Sequence, residues 1–160
     1  VLGDEKSAAV VISVDGESIV VDMKGDNEDY VEKYLTQKGT MDNYRVLLTE
    51  NFPRDEVSYN KGMKYPPREI YTCTEGGKGF ENPLYKAEFI DGVLVVTMEK
   101  FTIAFVSEDK AEQTYADVYF IYGKVRNGVN LPENSYVISD NGNNFEIVSL
   151  KSGNCKIRSL

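Results

Sequence analysis

The chain has 160 residues, a length that suits a single domain, 1–160, around one hydrophobic core. Its 26 acids against 18 bases leave a net charge of −8, which repels phosphate backbones and anionic lipid headgroups and argues against nucleic acid or a membrane surface as partner. It has no histidine, which removes Ser-His-Asp and Cys-His nucleophilic catalysis, histidine-bound metals and histidine haem ligation.

Read from the N-terminus, hairpin signals dominate. Residues 8–23 place two apolar runs on either side of Asp15-Gly16, a favoured two-residue turn because both positions need positive φ. That turn pairs Val14 with Glu17, Ile12 with Ile19 and Val10 with Val21 on an apolar face, and sends Ser13, Ser18 and Asp22 to the other. Asp26 or Asn27 caps a short helix over about 27–38, with Tyr30, Tyr34, Val31 and Leu35 on its apolar stripe and Gly39 as its stop. A strand at 44–49 follows, then a loosely patterned stretch with three prolines, then a strand at 68–74.

The second half repeats the hairpin logic. Around Asp91-Gly92, Phe89 pairs with Leu94, Ala87 with Val96 and Tyr85 with Met98; the opposite face, with Ile90, Val93 and Val95, is only partly wet. Phe101, Ile103 and Phe105 alternate inward along a strand at 101–107. The polar stretch Ser107 to Thr114 loops back to a strand at 115–124, where Tyr115 and Tyr119 share a face opposite Phe120 and Tyr122. A last hairpin joins Tyr136-Val-Ile to Phe145-Glu-Ile-Val through Asp140-Asn-Gly-Asn-Asn, and a terminal strand includes Cys155 and Ile157. The fold class expected is mostly β: an antiparallel meander of hairpins forming a barrel or a sandwich, with one short helix.

Candidate chemistry is sparse. Carboxylate-pair hydrolysis survives the loss of histidine, but with 26 acids a close pair arises by chance and reads as solvated surface. The stretch Asp22 to Asp29 lacks the spacing of a calcium loop and reads as a helix cap. Glu75-Gly-Gly-Lys-Gly-Phe80 fails the phosphate-loop pattern, since Gly79 follows the lysine. Tyr65-Pro66-Pro67-Arg68 is either a polyproline II docking segment or, more plainly, a rigid connector into the next strand. The longest apolar runs, Ala8–Ile12 and Val93–Val96, fall far short of the ~18–20 residues of a membrane span.

Two cysteines, Cys73 and Cys155, are either buried thiols or a bridge across 82 positions. Their even number and the absence of an initiator Met point to an oxidising compartment: secreted, periplasmic or extracellular.

This layout of short-loop hairpins, with one cysteine near position 70 and another near the C-terminus, resembles the lipocalin-like calycins. The resemblance implies a Cys73–Cys155 disulfide and an eight-stranded barrel holding a small apolar molecule. That family's Gly-x-Trp motif is absent, so no ligand residue is carried over from it.

The expected function is therefore an extracytoplasmic, non-catalytic binding protein without a cofactor or metal. Its small apolar ligand would lie among the inward residues Tyr85, Phe89, Leu94, Val96, Phe101, Ile103, Phe105 and Phe120. The alternative is a β-sandwich interaction or adhesion module that meets a protein or glycan through loops or an exposed tyrosine face.

Overall fold

The structure is a computed structural model that describes residues 2–4, 7–24, 28–49, 64–76, 79–99, 101–123, 125–138, 145–149 and 155–159. The chain is mostly β and divides into two compact units. The first comprises Val1–Leu48, Phe52–Thr72 and Asp140–Leu160; the second comprises Thr49–Asn51 and Cys73–Ser139.

The sheet of the first unit runs in the order β1 (Leu2–Asp4), β2 (Ser7–Val14), β3 (Glu17–Lys24), β4 (Tyr44–Thr49), β5 (Glu69–Cys73). The first hairpin has the register its turn dictates: Ile12 opposite Ile19, Val10 opposite Val21, with Asp15 and Gly16 at φ 46° and 81°. Its second face is not the wet one expected from Ser13 and Ser18. Ala9 and Val20 are buried on it, and Val11 is partly so. The cause is the next connection: β3 and β4 are parallel, Val20 opposite Val46, and a parallel return must cross the sheet.

The crossing element is α1 (Glu28–Lys38), whose Val31 and Leu35 are fully buried against Ala9, Val20, Met41, Tyr44, Val46 and Leu48. Tyr30, expected on the apolar stripe, is 39% exposed; the stripe is set by the i, i+4 pair Val31 and Leu35. The helix ends in a Schellman motif. Thr40 N–H donates to the Leu35 carbonyl and Gly39 N–H to that of Thr36, with Gly39 at φ 69°.

The sheet of the second unit is six-stranded: β6 (Phe80–Glu81), β7 (Tyr85–Ile90), β8 (Val93–Met98), β9 (Phe101–Ser107), β10 (Val118–Tyr122) and β11 (Ser135–Ile138), adjacent in that order. β7 to β9 form the expected antiparallel meander, with Phe89 opposite Leu94 and Leu94 opposite Phe105. β10 then lies parallel to β9, and β11 parallel to β10. The stretch expected as a polar loop holds a four-residue helix, α2 (Glu108–Ala111), on the way across.

Among the described residues the last expected hairpin, β11 with the strand at 145–149, is not paired. β11 pairs with β10, and Phe120 and Tyr136 place their ring centroids 6.0 Å apart. β12 (Phe145–Ser149) pairs instead with the terminal strand β13 (Cys155–Ser159), Ile147 opposite Ile157. The expected turn at 140–144 lies outside the described residues, as do parts of the 22–29 and 75–80 stretches. Among the described residues no sheet closes into a barrel, so only the mostly-β character of the resemblance stands.

Candidate binding surfaces

Seven of the eight residues expected to line a ligand cavity are buried: Tyr85, Phe89, Leu94, Val96, Ile103, Phe105 and Phe120, with Phe101 half-buried. The register of β7 to β10 sets all eight on one face of the six-stranded sheet. Their rings meet each other along it: Phe105 stacks on Phe120 at 5.3 Å and Phe80 on Tyr85 at 5.6 Å. Burial alternates strictly along β7, as a pleated strand dictates.

The other face of this sheet is apolar from β8 to β10 but wet along β7, where Lys86 and Ile90 are exposed. Val93, Ala104, Val106, Tyr119 and Ile121 are buried there beneath Ala111 of α2, with Ala116, Val125 and Leu131 packed around them. The second face of the β7–β8 hairpin is partly wet, as expected: Lys86, Ile90 and Thr97 are exposed and Glu88 half-exposed, whereas Val93 is buried beside the crossovers of the same unit.

The disulfide does not form. Cys73 is a free, buried thiol at the end of β5, and loss of water around it pushes its pKa up to about 11. A thiol so shielded stays protonated at neutral pH and is a poor nucleophile. The position of Cys73 in the chain suggested a bridge, but chain position carries no information about the distance between two Cβ atoms.

Charged groups are spent on holding the frame. The Arg45 guanidinium bridges Glu17 on β3 and Glu69 on β5, the latter at 3.2 Å. The Glu75 carboxylate accepts from the N–H groups of Asp91 (2.8 Å) and Gly92 (3.0 Å), gripping the β7–β8 turn. The Tyr122 hydroxyl donates to the Gly92 carbonyl at 3.0 Å, and Lys110 donates to that of Asp91. Glu108, buried at the start of α2, accepts from both the backbone and the side chain of Arg126, and so ties the first crossover to the second.

These bonds lower proton affinity. The N–H groups of Gly92 and Asp91 hold the Glu75 carboxyl below the usual carboxylate range; the Arg126 backbone and guanidinium do the same for Glu108. Asp109 is lowered chiefly by the Ser107 hydroxyl. A general acid needs the opposite displacement. Among the described residues no group of three or more cysteine, aspartate and glutamate side chains is placed to hold a metal ion, and no helix is long and apolar enough to cross a membrane.

The three tyrosines of 115–122 separate into three roles. Tyr122 secures the turn at Gly92, and Tyr119 is buried in the second core face. Tyr115 lies on no strand, because β10 begins only at Val118; its side chain is 89% exposed. Yet the loop that carries it is held tightly. The Tyr119 hydroxyl donates to the Thr114 carbonyl and accepts from the Ala116 N–H, both at 2.8 Å, so one phenol clamps the backbone on either side of Tyr115.

Further bonds fix the ends of that loop. Thr114 Oγ1 donates to the Lys110 carbonyl, Asp117 N–H to that of Thr102, and the Asp117 carboxylate accepts from the Thr102 N–H at 2.7 Å. Sequence periodicity placed Tyr115 on a strand; the signal that it belongs to a loop was the run Glu112-Gln113-Thr114 before it, which is polar and breaks the alternation. No family model matches the chain, and no curated protein is similar to it.

Proposed function

We propose that the chain is a non-catalytic interaction module that meets a protein or glycan partner through the loop bearing Tyr115. One observation carries this reading: a large aromatic side chain, 89% exposed, stands on backbone clamped on both sides by a buried tyrosine. Exposing a ring to water is unfavourable, and ordering a loop costs conformational entropy. Rigid aromatic side chains on pre-ordered loops are what binding surfaces use as anchors. The lowered carboxyls Glu75, Glu108 and Asp109 are engaged in structural bonds and lack the raised proton affinity of a general acid, which favours binding over hydrolysis.

The second reading, a lipocalin-like carrier of a small apolar molecule, draws on the continuous face from Tyr85 to Phe120. Extracytoplasmic placement is kept as part of the proposal, although the free Cys73 thiol withdraws the bridge that argued for it.

A photo-crosslinking side chain introduced at position 115, tested in extracts of the source organism, should yield a discrete adduct, while the same group at Ile90, 59% exposed, should yield none. Adducts from both positions or from neither overturn the module reading. Native mass spectrometry of the purified chain tests the carrier: a retained mass of a few hundred daltons supports it.

A further inference from the structure

β9, β10 and β11 run parallel, so their first residues, Phe101, Val118 and Ser135, all lie at one end of the second sheet. Asp117 fastens that end. Its N–H donates to the Thr102 carbonyl at 2.9 Å, and its Oδ2 accepts from the Thr102 N–H at 2.7 Å. On its other side, Asn134 Nδ2 donates to the Asp117 carbonyl at 3.3 Å, and the Tyr119 N–H donates to the Asn134 carbonyl at 3.1 Å. The residues just ahead of the three strands are therefore neighbours: Glu99 before β9, Tyr115 and Asp117 before β10, Glu133 before β11. Adjacent strands lie about 4.8 Å apart, so the three entries span roughly 10 Å, with Tyr115 at the middle one.

The charge at this end is of one sign. Glu99 and Glu133 are exposed, as is Glu112 three residues before Tyr115, and Asp117 is half-buried. Among the described residues none of these four carboxylates is ion-paired. Lys100, next to Glu99 in sequence, lies outside the described residues; it sets one cation against four acids.

The opposite end of the same sheet differs. There Glu75 grips the 91–92 turn, Glu108 holds Arg126, and Asp109 accepts from the Ser107 hydroxyl at 2.6 Å. Two exposed cations of this unit are also engaged away from Tyr115, Lys86 with Glu88 at 2.8 Å and Arg126 with Glu108 at 2.7 Å. The Tyr115 end thus presents an exposed ring among carboxylates that the fold leaves without a counter-ion.

We infer that this end of the second sheet receives an arginine side chain of a partner protein. The inference rests on the reading of Tyr115 as the anchor and adds the chemistry of what it meets. The face of an aromatic ring attracts a cation. A guanidinium stacks flat on such a ring and donates from its edge to carboxylates at the same time, which a compact ammonium does not do as well. An anionic surface is repelled by the four acids, and a neutral glycan uses the ring but leaves the carboxylates uncompensated.

The test is a titration of the ¹⁵N-labelled full chain with octa-arginine, octa-lysine and maltohexaose. Octa-arginine should move the amide resonances of 113–117 and 133–134 saturably and more tightly than octa-lysine. Tyr115→Ala should weaken that binding about two- to fivefold, while Tyr115→Phe, which keeps the ring face, leaves it unchanged. The Glu112→Gln/Glu133→Gln double variant should weaken it further at low salt and flatten its salt dependence. Unmoved resonances of Ala104 and Phe105 certify that each variant is folded.

Three results overturn the inference. Shifts of equal size at Asp29 and Asp42, exposed acids of the first unit, would assign the binding to net charge alone. Unchanged affinity in Tyr115→Ala would remove the ring from the contact. Movement of the same amides by maltohexaose at lower concentration would make the partner a glycan. A position-115 crosslink alongside any of these overturns the arginine inference alone, whereas a missing crosslink overturns the module reading beneath it.

Discussion

Both units return from one strand to a parallel neighbour across an apolar sheet face, but they cover that face by different means. In the first, an 11-residue helix crosses and presents Val31 and Leu35, one turn apart, to the strands. In the second, a helix of only four residues contributes Ala111, and the remaining cover comes from Ala116, Val125 and Leu131 on irregular chain. Three turns of helix satisfy their own backbone groups; irregular chain over a core face does not. The second unit therefore recruits side chains for the purpose: Tyr119 for Thr114 and Ala116, Asp117 for Thr102, Glu108 for Arg126. A crossover without much helix is held by specific polar bonds, and the same bonds leave a rigid loop available to display Tyr115.

That contrast can be broken most readily at the helix. Leu35→Ala removes a fully buried side chain at the centre of the α1 contact and should cost about 2–5 kcal/mol in urea unfolding. A loss below about 1 kcal/mol would mean that the helix packs loosely and that the first crossover is not held by apolar burial.

Tyr119→Phe sharpens the other side of the comparison. It keeps the buried ring and deletes both clamp bonds, for an expected loss of about 1–3 kcal/mol. Amide exchange at Ala116 should quicken while that of Ala104 stays unchanged. Exchange unaltered at Ala116 would show that the loop does not depend on the clamp.

The smallest effect is a pH slope. Glu75 is lowered in the folded state by the N–H groups of the 91–92 turn, so the unfolded chain binds more protons between the folded value and the ordinary glutamate value of about 4.3. Its contribution is fully present above that ordinary value and is lost as pH falls through the lowered one. Glu75→Gln should flatten the acid limb of a stability-against-pH curve and leave it unchanged in shape at neutral pH. An acid limb as steep as that of the parent would assign the loss of stability to other carboxyls.

Legibility in the sequence followed distance along the chain. The two Asp-Gly hairpins were readable with their registers, because a two-residue turn with positive φ at both positions determines which residues face each other. The helix and its glycine stop were readable for the same local reason. The alternation that named Tyr85, Phe89, Leu94, Val96, Phe101, Ile103 and Phe105 as one face was correct as geometry, since register propagates across adjacent antiparallel strands; Phe120 joins that face through the parallel pairing of β10 with β9. Tyr115 was singled out as a residue but assigned to a strand, because periodicity cannot see where a ladder begins.

What the sequence alone determined, then, is local: turns, strand alternation, one helix and the absence of imidazole. Only the tertiary structure decided that β3 pairs with β4, β9 with β10 and β10 with β11 in parallel, that β11 leaves β12 to pair with β13, and that Cys73 is unbridged. Those outcomes depend on which apolar faces meet after a long connection closes. Closure entropy varies only slowly with loop length, so the choice among distant partners is made by packing and leaves no short-range mark in the chain.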